Sequence, residues 1–331
     1  MLRGYFFTTV DTMKKRYWLL FITTLIVAWV LLVYTPQAVQ AVSPLPLTSS
    51  PADVGLTYES FTLQPADRDL ELQGWWMPAK NARATLVFLH GGGSHRDSTF
   101  FSSIAFYKAM VSSGVSVAAI DLRNHGESDQ DGHGLRFGLS EKWDAAALLD
   151  WARARSPHLP LYVMGISMGG ATAIHTVADG AQVAGLVLLD PLLDTHSVIV
   201  NGAWVQTGLP RGLFHLSAWA AQAFHGMPGG SNGALALASE LAVPTLLLQD
   251  PQDPVTEAVH ARTLADKNPA VRYLELPPTD ANTQASLAWR GRWGSHVAGF
   301  VLFPRTVKTE ILAFMGLDTS GSTRGNSPPG K

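Results

Sequence analysis

The chain has 331 residues and a net charge of −2, with 47% hydrophobic and 15% charged residues. That balance offers no positive field for nucleic acid. The lack of cysteine excludes disulfides, a thiol nucleophile and thiolate metal sites.

The first element is an apolar run, YWLLFITTLIVAWVLLVY, at 17–34. As a helix it would span about 27 Å, close to the hydrocarbon thickness of a bilayer. Arg3, Lys14, Lys15 and Arg16 all precede it, and the next charge is Asp53. The positive-inside rule then puts the basic N-terminus, 1–16, in the cytoplasm. Trp18 and Tyr34 stand at the two ends, where amphipathic rings favour the interface. A cleaved signal peptide is the competing reading, with Val39 and Ala41 before a mature start at Val42. The run is long for a signal, which favours an uncleaved anchor. Either way the rest of the chain is expected outside the cytoplasm, membrane-anchored or else secreted or periplasmic.

Residues 35–53 carry Pro36, Pro44, Pro46 and Pro51 and read as an extended linker. From 54 to 317, about 260 residues form one large domain. Strands are expected near 54–63, 70–77, 84–89, 116–121, 161–165, 183–190, 244–249 and 271–276. Helices are expected near 100–112, 141–154, 168–178, 256–266 and 304–315. Continuous apolar strands alternating with helices imply an α/β fold with a mostly parallel sheet covered on both faces. The stretch 191–242 is too long for an ordinary connection and reads as a helical cap insertion. It holds Trp204, Phe214, Trp219 and Phe224, with a helix expected at 211–226. The tail 318–331 reads as disordered.

GISMG at 165–169 fits G-x-S-x-G. It follows an apolar strand and precedes a helix, which is the setting that holds a serine on a strained elbow above a sheet. Ser167 is therefore the candidate nucleophile. HGGGS at 90–94 follows the strand ending at Leu89. Its backbone N–H groups can face a developing oxyanion, with Gly92 and Met168 as the expected donors. A phosphate loop is the weaker reading, since neither G-K-[ST] nor G-x-G-x-x-G follows. His90 reads as a brace for that loop. A serine needs a base, and the base an orienting acid, in the chain order Ser, Asp or Glu, His. His296 is the only histidine after the last strand. Asp250 and Asp253 both follow the strand ending at Gln249; DPVT puts Asp253 at a helix entry, which favours it. Asp190, ending the preceding strand, is a third candidate. No H-E-x-x-H or comparable spacing occurs, so neither metal nor cofactor is expected.

Residues 54–316 resemble the α/β-hydrolase superfamily, in particular its esterase, lipase and monoacylglycerol-lipase-like members. FLHGGGS at 88–94, IDLRNHGESD at 120–129, GISMGG at 165–170, VPTLLLQDPQDPVTEAVHA at 243–261 and GSHVAGF at 294–300 carry the resemblance in order. It implies that Asp253 is the acid and that DLRNHGESD forms the loop after the fourth strand. The expected activity is hydrolysis of a carboxylic ester, acyl or lipid-like, through an acyl-enzyme, with the cap aromatics Trp204, Phe214, Trp219 and Phe224 meeting the substrate. A peptidase or amidase would want acids in the cap for an amino terminus, and only Asp194 and Glu240 stand there. Acyl transfer uses the same residues. Haloalkane or epoxide chemistry would need an aspartate nucleophile. A non-catalytic tethered binding domain would be expected to lack part of the triad, and no member is missing.

Overall fold

The computed structural model describes residues 2–317, with side chains from Lys14 onward; the expected disordered tail lies outside the described residues. The chain starts with α1 (Leu2–Trp29), a π-helical turn at Val30–Tyr34 and α2 (Thr35–Gln40), which follow one another without a break. The linker expected from residue 35 thus begins only after Gln40. Pro36 explains both the expectation and the outcome. It has no N–H for the carbonyl four residues back, Leu32, and its ring crowds that turn. The helix absorbs this by widening: the Thr35 N–H bonds to Val30 O, and the Thr35 hydroxyl bonds to the same oxygen at 2.9 Å. The exposed apolar part of this helix, Lys14–Gln40, has a mean hydropathy of 2.2 over its most apolar window.

Eight strands follow: β1 (Glu59–Leu63), β2 (Leu72–Met77), β3 (Ala84–Leu89), β4 (Val115–Ile120), β5 (Leu161–Ile166), β6 (Gly185–Leu189), β7 (Thr245–Gln249) and β8 (Val271–Glu275). They form one sheet in the order β1-β2-β4-β3-β5-β6-β7-β8. The pairs β1–β2 and β2–β4 are antiparallel and the other five are parallel. Between them run α3 (Ser103–Val111), α4 (Glu141–Arg155), α5 (Met168–Ala178), the cap helices α6 (Thr195–Thr207), α7 (His215–Phe224) and α8 (Ala234–Glu240), α9 (Ala258–Lys267), α10 (Ala281–Ser286), α11 (Gly299–Leu302) and α12 (Pro304–Phe314). The helix expected over 211–226 is a 3₁₀ turn, Arg211–Phe214, leading into α7.

The central strands are apolar throughout because both faces are covered. Successive residues alternate between two cores. Val87, Leu89 and Val163 join α4, α5 and the cap, whereas Leu86, Phe88, Tyr162 and Met164 join α3 and α12. Cap residues Ile199, Val200, Phe214, Ala218 and Ala221 belong to the first core, so the cap is continuous with the body. The carboxyl ends of β3, β5, β6 and β7 open onto one edge of the sheet. Ligands of open α/β sheets bind at that edge.

Candidate active site

Ser167 stands between β5 and α5 with φ 49° and ψ −118°, outside the regions ordinary residues prefer. Two glycines make this turn possible. A Cβ on Gly165 would lie 2.2 Å from Gly169 O, and one on Gly169 would lie 2.2 Å from Leu89 O and 2.6 Å from His90 O. Neither position has space for a side chain, so the G-x-S-x-G spacing is a packing requirement. The elbow is fixed from behind as well, because Ser167 N–H donates to Leu189 O at 3.2 Å and Leu192 N–H to Ser167 O at 2.9 Å.

The structure brings Ser167, His296 and Asp253 together. His296 Nε2 lies 3.0 Å from Ser167 Oγ, and His296 Nδ1 lies 2.7 Å from Asp253 Oδ2. With the proton on Nδ1 donated to the carboxylate, Nε2 is left to accept from the serine hydroxyl. Asp253 is held firmly. Its Oδ1 accepts from the N–H groups of Val255 and Thr256 at 2.7 and 3.0 Å, and its Oδ2 also accepts from the Thr256 hydroxyl at 2.6 Å. Asp250 instead turns back on its own loop, where its Oδ1 accepts from Gln252 N–H at 2.8 Å.

Asp190, the third acid considered from sequence, touches neither Ser167 nor His296. It ties their supporting loops together. Its Oδ1 accepts from Asp250 N–H at 2.7 Å and its Oδ2 from Val297 N–H at 3.1 Å. Burial and the nearby Asp253 push its carboxyl well above the usual range. A second support is Arg290, buried beneath the histidine loop. Its guanidinium donates to the carbonyls of Gly294, Phe100 and His296 at 2.9, 3.0 and 2.8 Å and stacks 3.5 Å over the Phe100 ring.

The loop after β3 runs beside the elbow. A Cβ on Gly91 would lie 3.4 Å from Ser167 Cβ, and one on Gly92 would lie 3.3 Å from Met168 Sδ. Gly92 and Met168, the two expected oxyanion donors, therefore lie side by side, with Gly91 against Ser167. The N-terminus of α5 begins at Met168, so its dipole also favours negative charge here. Two neutral histidines fix this loop. His90 Nδ1 donates to Gly91 O at 2.8 Å and its Nε2 accepts from Leu122 N–H at 3.0 Å. His125 Nδ1 donates to Arg123 O at 2.7 Å and its Nε2 accepts from Gly93 N–H at 3.0 Å. Burial lowers both, His125 to about 4. His125 in turn is held by the 121–129 loop. There Arg123, fully buried, forks between Asp144 and Asp67 at 2.6 and 2.7 Å, and Asp121 pairs with Arg96.

His90 thus braces the loop as expected, whereas sequence reasoning missed His125, Arg290 and the tie through Asp190. His125 lies in the DLRNHGESD segment, whose resemblance was its one signal. No local pattern marks Arg290. Of the cap aromatics, Phe214 is buried in the core shared with the body and Trp204 is half-buried beneath the Arg211 guanidinium, 3.7 Å from its ring. Trp219 and Phe224 are exposed and meet edge to face at 5.2 Å.

Comparison with known proteins agrees with this architecture. The family model described as "Serine aminopeptidase, S33" matches residues 80–222. The lysophosphatidylserine lipase ABHD12 of Gallus gallus is 31% identical over 152 residues, which cover 38% of this chain and 37% of the relative. The human monoglyceride lipase is 32% identical over 124 residues, covering 36% and 38%. The alignments thus span little more than a third of the length of either relative. An esterase of Pyrococcus furiosus has the same fold, with a TM-score of 0.65 at 20% identity over 83% of this chain and 97% of that one. Sheet order and the strand–Ser167–helix elbow are those of the α/β-hydrolase fold, which these likenesses share.

Proposed function

We propose that the protein is a membrane-anchored serine hydrolase that cleaves carboxylic esters of acyl or lipid-like kind through an acyl-enzyme. The observation that carries this is the hydrogen-bonded chain Ser167–His296–Asp253, 3.0 and 2.7 Å long, on a strained elbow. His296 Nε2 takes the proton as Ser167 Oγ attacks the carbonyl carbon. Asp253 keeps the other ring proton on Nδ1 and stabilises the imidazolium that forms. The N–H groups of Gly92 and Met168 receive the oxyanion. His296 then returns its proton to the leaving alcohol, and a water activated by the same imidazole releases the acid. Trp204 and Phe214 supply apolar surface of the cap for the acyl chain. The lipase names of the partial relatives favour the same class of substrate.

The family description names an aminopeptidase, which is the second reading. An aminopeptidase needs an acid free to meet the substrate's ammonium. Of the two cap acids, Asp194 is spent on capping α6, accepting from Ser197 N–H at 2.7 Å, and Glu240 is exposed at the end of α8. That weighs towards esters. Acyl transfer to an alcohol would use the same groups with the alcohol in place of water.

The anchor reading is favoured over a cleaved signal by what a cut before Val42 would remove. Gln40 O accepts from Leu135 N–H at 2.8 Å, and Val39 packs on the body core. A panel of p-nitrophenyl esters and an aminoacyl-p-nitroanilide tests the chemistry: ester turnover that exceeds amide turnover and vanishes in Ser167→Ala supports the proposal, and the reverse preference overturns it. A reporter fused after Leu317 tests the topology. It should be active only outside the cytoplasm, and mass spectrometry of the mature protein should recover the segment before Val42.

A further inference from the structure

The end of the N-terminal helix is built into the cap. Pro36 leaves Leu32 O without its helical partner, and His225 Nε2, one residue past α7, donates to that oxygen at 2.8 Å. The carbonyl of the same His225 accepts from Gln40 Nε2 at 3.0 Å and from the Arg136 guanidinium at 2.5 Å. Two glycines let the chains approach. A Cβ on Gly134 would lie 2.3 Å from Gln40 O, and one on Gly226 would lie 2.5 Å from the Arg136 guanidinium; both have φ of +67°. The joint is therefore a fitted one.

Its place along the helix matters. If residues 17–34 cross the bilayer, Leu32 lies about 3 Å short of the outer end of the span at 1.5 Å per residue. A cap that bonds to Leu32 must then sit at the membrane surface. The cap's outer face suits that place. Leu213, Leu216, Trp219 and Phe224 are all exposed, from 45% to 69%; the first three recur every three residues along the 3₁₀ turn and α7, and Phe224 ends α7 beside the joint. Phe224 adjoins the joint residue His225, and Trp219 packs edge-on against Phe224. Exposed apolar residues in a run, with aromatic rings beside the outer end of a membrane span, match the chemistry of the lipid–water interface.

We infer that this face of the cap rests in the outer leaflet of the membrane that the N-terminal helix crosses, so that Trp219 and Phe224 meet lipid and the ester substrate enters from that leaflet. The inference rests on the anchor and the esterase proposed above. It differs from the expectation that all four cap aromatics bind the acyl chain, since it separates an inner pair, Trp204 and Phe214, from an outer pair.

The absence of cysteine makes a direct test possible. In the full-length protein, Leu213→Cys and Leu216→Cys are labelled one at a time with an environment-sensitive fluorophore and reconstituted into phosphatidylcholine vesicles. Arg305→Cys, exposed on α12 outside the cap, is the control. Doxyl groups on the lipid acyl chains should quench the two cap labels several-fold more than the control. Equal quenching overturns the inference, as does self-quenching between labels in place of lipid quenching, which would mean that a second copy covers the face. In a second arm, Leu213→Ser/Leu216→Ser should keep its turnover of soluble p-nitrophenyl acetate and lose several-fold on an ester resident in the vesicles. An equal effect on both esters overturns the inference. Wild-type protein inactive on both esters would overturn the esterase proposal while leaving the quenching result to stand.

Discussion

Replacing Asp253 by Asn changes one atom, and the hydrogen bonds around the carboxylate fix the consequence. Oδ1 accepts from two buried N–H groups, those of Val255 and Thr256, at 2.7 and 3.0 Å. The amide oxygen of Asn must keep that place, because an NH2 there would face two donors. Each unpaired buried N–H costs about 1–3 kcal/mol, so the flipped amide would be about 2–6 kcal/mol worse. The NH2 therefore points at His296 Nδ1, from 2.7 Å, and donates to it. The ring proton is driven to Nε2, where it faces Ser167 Oγ and cannot be replaced by the serine proton. Only the minor, flipped form retains a working base. At 1.4 kcal/mol per tenfold, kcat should fall by about 30-fold to 10⁴-fold, the upper end matching loss of the correct tautomer in other triads. The fold should survive, since the Val255 and Thr256 N–H groups keep their acceptor and the Thr256 hydroxyl can turn to accept from the NH2. Steady-state kinetics on p-nitrophenyl butyrate, with thermal unfolding as the control, measures this. Asp250→Asn, which leaves His296 untouched, should cost less than about tenfold. A result in which Asp253→Asn keeps activity within about tenfold of wild type, while Asp250→Asn loses three orders of magnitude, would refute the assignment of the acid.

Three further outcomes follow from the geometry. Gly169→Ala places a Cβ 2.2 Å from Leu89 O and should cost more than about 3 kcal/mol or prevent folding, whereas Gly202→Ala, with open space around it in α6, should be neutral or stabilise by up to about 1 kcal/mol; urea midpoints compare them, and equal midpoints would contradict the packing argument. His125 binds its proton less readily folded, at about 4, than unfolded, near 6.5, so its contribution to stability is intact above about pH 6.5 and is lost as pH falls towards 4. His90 acts in the same direction, and the loss from His125 alone is on the order of 3 kcal/mol; a urea midpoint that stays flat from pH 7 to 5 would count against it. Phe214→Ala should destabilise by about 3–5 kcal/mol and shift turnover between long and short esters; lower stability with an unchanged chain-length ratio would make Phe214 a packing residue alone.

Much of the sheet could be read from the sequence because each buried parallel strand is a short apolar run, and the elbow because Gly165 and Gly169 are dictated by contacts within a few residues and one neighbouring strand. The acid was narrowed to three carboxylates by chain order. What separates Asp253 from Asp250 and Asp190 is the direction each side chain takes across a turn, which residue type does not encode. Arg290 and the Asp190 tie depend on contacts between distant segments and leave no periodic trace. The prolines from Pro36 onward suggested that the chain leaves the helix near Tyr34. It does not, because a widened turn accommodates Pro36 and a histidine from nearly 200 residues away bonds the stranded carbonyl.

The central claim is that Ser167 is a nucleophile activated by His296. Its most direct test is reaction of the full-length protein with a serine-directed fluorophosphonate, followed by mass spectrometric mapping of the adduct. The account predicts one phosphonylated residue, Ser167, with labelling abolished in Ser167→Ala and slowed by orders of magnitude in His296→Ala. Labelling that persists in Ser167→Ala, or an adduct on another serine of a folded protein, would contradict it.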